Sequence, residues 1–151
     1  MTFSNLASLQ DQVGLSLGPS GWLTVSQEMI NAFAEATGDH QWIHTDPDRA
    51  RQYSPFGTTI AHGFMSVALL SQLVKELITV ESVKLNLNYG LNKLRFPAPV
   101  PVGSRLRLHC RIAAAAPYGD QGLQVTWGCH LEIEGQEKPA CVGEWVTLMI
   151  E

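Results

Sequence analysis

Asp39 and His44 stand five residues apart in the segment Gly38-Asp39-His40-Gln41-Trp42-Ile43-His44. On an irregular loop this separation lets a carboxylate and an imidazole turn toward one bound molecule. Together they supply an acceptor and a group that titrates near neutrality, which is what general acid–base chemistry requires. The same residue types also serve as a solvated turn aspartate and a polar surface histidine. A second feature follows at Ala61-His62-Gly63-Phe64, which leads into a long apolar stretch. The first N–H groups of a helix lack internal partners and carry positive dipole character. A glycine there lets a ligand carbonyl approach the backbone, where a developing oxyanion would be stabilised. The structural alternative for Gly63 is relief of crowding between a helix and a sheet.

His40, His44 and His62, with Asp39, Asp46 and Asp48 nearby, are the residues to weigh for a metal. His-x3-His needs a helix to bring both rings to one face, whereas Gln41-Trp42-Ile43 reads as loop. No Glu adjoins the histidines in a zincin arrangement, so no metal ligation is expected.

The elements that must position these residues are legible as pattern. Trp22-Leu23-Thr24-Val25 alternates, and Ser26 can then cap a helix with Glu28 in its first turn. Met29, Ile30, Phe33, Ala34 and Thr37 make one mostly apolar helical face, and Gly38 suits the position just past its end. Asp39 to Ile60 is rich in Pro, Asp, Gly and Thr. It reads as a long, mostly irregular segment with one helical turn started at Asp46-Pro47, and such loops often carry function. Gly63 to Thr79 reads as the main helix, apolar on nearly all sides and therefore enclosed by other elements. Ser71 lies two turns inside it, placed either to face a site or to bond back to the helix backbone.

From Val83 the pattern changes to period two. Val83, Leu85 and Leu87 alternate with Lys84, Asn86 and Asn88, and Leu106 and Leu108 alternate with Arg105, Arg107 and His109. Val125, Trp127 and Cys129, then Val142, Trp145, Thr147 and Met149, continue it, with Pro- and Gly-rich punctuation between. Four or five antiparallel strands following one apolar helix predict an α+β domain, its sheet curled around that helix.

A length of 151 residues suits a single domain over 1–151. Charged residues are only 16% of the chain, against about 25% in an average soluble domain. Such a surface suggests cover by a partner subunit, a second copy of the chain. A net charge of −4 with scattered Lys and Arg excludes an electrostatic footprint for nucleic acid. The apolar region Ile60–Val80 contains His62, Gln72, Lys75 and Glu76, so it reads as a buried helix and not a membrane span. Cys110, Cys129 and Cys141 are odd in number without CxxC spacing, which predicts free thiols in a reducing cytosol. Met1-Thr2-Phe3-Ser4-Asn5 shows no basic region before an apolar run, and a cytoplasmic location is expected.

The run Phe33 to His44, followed by Phe56-Gly57-Thr58-Thr59-Ile60-Ala61-His62-Gly63, resembles the hydratase signature of the MaoC-like dehydratases. The later run Asn88 to Gly103 is similar to the nodulation-protein-N-like branch of that family, and the mycobacterial (R)-specific enoyl-CoA hydratases of the branch look nearest. The resemblance covers nearly the whole chain. It implies a hot-dog fold, a homodimer, and reversible addition of water to a trans-2-enoyl-CoA giving the (R)-3-hydroxyacyl-CoA, with no cofactor. By the resemblance Asp39 and His44 match the catalytic pair and Gly63 the oxyanion donor. Ser71 matches a serine near the substrate pocket, with His62 and Trp42 as further substrate-binding positions. In the family the CoA arm lies near the subunit boundary, where Lys93, Arg95 or Arg105 would meet its phosphates; solvated strand faces account for these residues equally. Many members have Asn-Pro-Leu between the pair where this chain has Gln41-Trp42-Ile43. Trp42 is bulky enough to narrow an acyl pocket or to pack on a partner subunit. Two competing functions use the same parts, an acyl-CoA thioesterase and a non-catalytic acyl-CoA-binding accessory protein.

Overall fold

The computed structural model describes residues 1–151. In chain order the elements are β1 (Thr2–Phe3), α1 (Leu6–Gln10), β2 (Ser16–Leu17), β3 (Leu23–Thr24), α2 (Gln27–Thr37), α3 (Trp42–Thr45), α4 (Pro47–Tyr53), α5 (Gly63–Leu77), β4 (Thr79–Val80), β5 (Leu85–Arg95), β6 (Arg105–Tyr118), β7 (Gly122–Ile133) and β8 (Cys141–Ile150). The main sheet is antiparallel and runs β2-β6-β7-β8-β5, with β3 also pairing to β6. A small parallel pair joins β1 to β4.

Period two explains the core. Leu106, Leu108 and Ile112 on β6, and Val125, Trp127, Leu131 and Ile133 on β7, are all buried. They pack with Met65, Leu69, Leu70, Leu73 and Leu77 of α5 in one apolar cluster, around which the sheet curls as a hot-dog fold. Burying a leucine-sized side chain contributes about 1.5–3 kcal/mol, so this cluster is the main force holding α5 against the sheet. The Trp127 indole within it is satisfied internally, its N–H donating to Thr147 Oγ1 at 2.9 Å.

Three expectations change. The segment Asp39–Ile60 is less irregular than its composition suggests: it holds α3 as well as α4, the latter capped by Asp46, whose side chain accepts from the Arg49 N–H. The main helix ends at Leu77, and it is not enclosed within one chain. Phe64 is 71% exposed, and Ala68, Gln72 and Lys75 follow it along an open face. Finally, β5 carries the predicted alternation, but of its apolar residues only Leu94 packs against the core. Leu85 and Leu87 are exposed, as is Asn88, whose side chain accepts from the Trp145 indole at 3.0 Å.

Two local signals aim the chain at the candidate site. Ser26 caps α2, its hydroxyl accepting from the Met29 N–H. At the other end Gly38 adopts φ 77°, terminates α2 and redirects the backbone into Asp39. Nothing lies within 4 Å of a Cβ added there, so substitution meets backbone strain alone. Gly38→Ala is therefore predicted to cost about 1–2 kcal/mol in urea unfolding; an unchanged midpoint would contradict the αL role.

Candidate active site

His44 is 7% exposed and is fixed from two sides. The Gln27 amide of α2 donates to the His44 carbonyl at 2.7 Å and accepts from the buried Thr59 hydroxyl at 2.5 Å. The ring is fixed separately: Nδ1–H donates to the Ile60 carbonyl at 2.7 Å. A carbonyl can only accept, so the neutral ring carries its proton on Nδ1 and offers the Nε2 lone pair. Burial lowers the pKa of His44 from its ordinary value of 6.5; the neighbouring His62 adds to this, while the Ile60 bond and Asp39 oppose it. The net effect favours the neutral imidazole.

Asp39 follows Gly38 directly and keeps its side chain 55% exposed. Ligand-type atoms of Asp39, His44 and His62 all lie within 4.8 Å of one another. Around tetrahedral zinc such atoms would stand about 3.3 Å apart, given bonds near 2.0–2.1 Å. Groups this close can also share a water or a substrate atom. His40, by contrast, lies apart from the cluster, 3.7 Å from Glu35.

His44, Gly63 and Ser66 open onto one cavity of about 350 Å³, closed on its other sides by Phe96, Val100 and Ala140 among others. Gly63 is the first residue of α5, so its N–H has no partner within the helix. A Cβ at this position would come 3.2 Å from the Phe96 ring, which explains the glycine by close approach. The structure thus brings the His44 imidazole and a free helix-start N–H to one mostly apolar space, with the Asp39 carboxylate close to His44 but outside the lining.

The remaining candidates are distributed differently. His62 is buried, at 3% exposure, and its ring stacks on His44 at 3.8 Å between centroids, so it stands behind the histidine and does not line the cavity. Trp42 is also outside the lining; it lies under the Arg49 guanidinium at 4.7 Å on the α3–α4 surface. Ser71 faces a separate groove of about 300 Å³ between α5 and β5, with Val67, Asn88 and Leu91. Arg105 is paired with the Glu134 carboxylate on the surface and lies near Trp22. Arg95 immediately precedes the cavity-lining Phe96, and Lys93 sits in the adjoining irregularity of β5 with φ 49°. All three thiols are free and buried. Burial pushes Cys110 up to about 12 and Cys141 up to about 11, so these thiols are not nucleophiles.

Two site residues escaped the sequence pattern. Ser66 supplies the sole hydroxyl of the cavity lining, and Phe96 covers Gly63. An i+3 count from Gly63 along α5 could have found Ser66. Nothing local could have found Phe96, which arrives from β5.

The family model described as a MaoC-like domain matches residues 8–126. The chain is 54% identical to a protein called 3-hydroxyacyl-thioester dehydratase Z of Mycobacterium tuberculosis, over 97% of this chain and 96% of the relative. It is 40% identical to Nodulation protein N of Rhizobium leguminosarum bv. viciae, over 96% of this chain and 91% of that one. Among solved structures, the R-hydratase PhaJ1 from Pseudomonas aeruginosa, in the unliganded form, superposes with a TM-score of 0.78 at 23% identity, covering 97% of this chain and 86% of that one. No helix of the fold is long and apolar enough to cross a membrane. With a family model matching most of its length and these near-full-length relatives, the chain belongs to the MaoC-like dehydratase family.

Proposed function

We propose that the chain is an (R)-specific enoyl-CoA hydratase, adding water reversibly to a trans-2-enoyl-CoA to give the (R)-3-hydroxyacyl-CoA. The observation that carries this is the approach of Asp39 to His44, polar atoms within 4.8 Å, beside a mostly apolar cavity that His44 and Gly63 both line. The thioester carbonyl accepts a hydrogen bond from the Gly63 N–H, which draws electron density from the β-carbon. Water held between Asp39 and His44 loses a proton as its oxygen bonds to that carbon. The electron pair of the double bond moves toward the thioester oxygen, giving an enolate that the helix start stabilises. A proton then returns to the α-carbon, so that the elements of water have been added and no thiol is released. The chemistry needs no redox step or cofactor. The 54% identical relative supports a 3-hydroxyacyl thioester as the product class.

A second copy of the chain completes the assembly in this proposal. Strand β5 pairs only with β8, and its other edge is a row of free backbone donors and acceptors eleven residues long. Beside it lie the exposed Leu91 and the open α5 face with Phe64 and Ala68. Joining two β5 edges would cover these surfaces, and the groove lined by Ser71 would fall at the junction.

Each positioned acid or base contributes about a hundred- to ten-thousand-fold, so Asp39→Asn and His44→Ala are each expected to lower crotonyl-CoA hydration by at least a hundredfold while circular dichroism stays native. Near-normal hydration by either folded variant rejects the assignment. Because His44 must be neutral to accept a proton and its pKa is lowered, the acid limb of kcat/KM is expected below pH 6.5. An acid limb above that value would mean that another group titrates. Light scattering is predicted to give twice the chain mass, and a monomer at micromolar concentration would refute the paired β5 edges.

A further inference from the structure

His62 has a buried ring with an unusual set of neighbours. Its Nε2–H donates to the Asp39 carbonyl at 2.9 Å, and its face stacks on His44 with 25° between planes. Phe33 of α2 closes the pocket beside it at 4.9 Å between centroids. In sequence it is the N-cap of α5 and immediately precedes Gly63. One residue therefore touches the backbone of the carboxylate, the ring of the base, and the chain that presents the oxyanion donor. The other ring nitrogen, Nδ1, is buried without any partner, a desolvation cost that an ordinary core position would avoid with a phenylalanine.

The bond to Asp39 matters because little else holds that residue. The Asp39 N–H reaches Thr37 Oγ1 only at 3.4 Å, and Asp39 Oδ1 receives the Gln41 N–H at the same distance. The 2.9 Å bond from His62 is the shortest contact restraining residue 39. Phenylalanine could stack on His44 but could not donate to Asp39. Glutamine could donate but could not stack. Histidine does both, which accounts for tolerating its unpartnered nitrogen.

We infer that His62 is a positioning residue: it clamps the Asp39 backbone and backs the His44 ring, so that both groups keep one arrangement relative to each other and to the Gly63 N–H. It touches no reacting atom itself. This inference rests on the hydratase proposal for what the pair does, but its geometry can be tested without activity.

Two variants separate the two contacts. His62→Phe keeps the stack and removes the clamp; His62→Gln keeps a donor and removes the stack. Each is expected to lower kcat about ten- to a hundredfold, the scale on which a catalytic group displaced by about 1 Å acts, with KM nearly unchanged. A folded variant with wild-type kcat, or one that raises KM and spares kcat, overturns the inference. Nitrogen NMR of the histidine-labelled wild-type protein gives a readout that survives poor folding of either variant. The neutral His62 ring is predicted to carry its proton on Nε2, with Nδ1 bare. A ring protonated on Nδ1 alone, with Nε2 bare, overturns the clamp even if hydration is robust. Absent hydration with the predicted Nε2–H would instead count against the hydratase proposal and leave the clamp standing.

Discussion

The hydrogen bond from His44 Nδ1–H to the Ile60 carbonyl is the constraint on which the rest of the site depends. It decides the tautomer, and therefore which nitrogen faces the cavity as a lone pair. It also joins the two stretches that must cooperate, since Ile60 lies just before the start of α5. The Ile60 N–H in turn donates to the Ile43 carbonyl at 3.0 Å, and Ile60 bridges to Pro101 on the strand side. His44 is thus fastened to the segment that leads into α5 and, through it, to the Pro101 segment before β6. Side-chain changes in the loop between α4 and α5 can leave that connection intact.

Around this bond the fold divides its work. The apolar cluster beneath the sheet holds α5 rigidly, so the Gly63 N–H points at a constant place. The capped helix α2 supplies both Gln27, which grips the His44 carbonyl, and Gly38, which turns the chain into Asp39. A low-dielectric cavity wall of Phe96, Val100 and Ala140 strengthens any hydrogen bond formed to a developing oxyanion. The polar machinery is small and sits at the edge of a core otherwise built for stability. His44 shows the consequence, because the burial that helps to define the site also keeps it neutral.

Much of this was legible in the sequence wherever a local rule sufficed. Ser26, Gly38 and Asp46-Pro47 mark helix ends through hydrogen bonds and dihedral preferences that reach only a few residues. The alternation along β6 and β7 named core residues correctly, because both strands are covered on one face. Local rules failed where distant contacts decide. Helix α3 has no side-chain cap and is only four residues long, so nothing announces it. The alternation of β5 does not say that both its apolar and its polar residues stay largely exposed, with Asn88 accepting from the Trp145 indole. Trp42 and Ser71 are the right kinds of residue to meet substrate, yet the Arg49 guanidinium and the α5–β5 groove set them apart from the His44 cavity within one chain. His62 was visible as part of a His-Gly pair, but its place behind His44 emerges only when two segments fold together.

Water addition at the β-carbon, as opposed to attack at the thioester carbonyl or mere binding, is the central claim. Purified protein incubated with crotonyl-CoA, followed at once for enoyl conjugation, free thiol and product configuration, tests it most directly. Loss of conjugation without thiol release, yielding the (R)-3-hydroxy thioester, is the predicted result. Stoichiometric thiol release, or conjugation left untouched by a folded protein that binds the thioester, would contradict it.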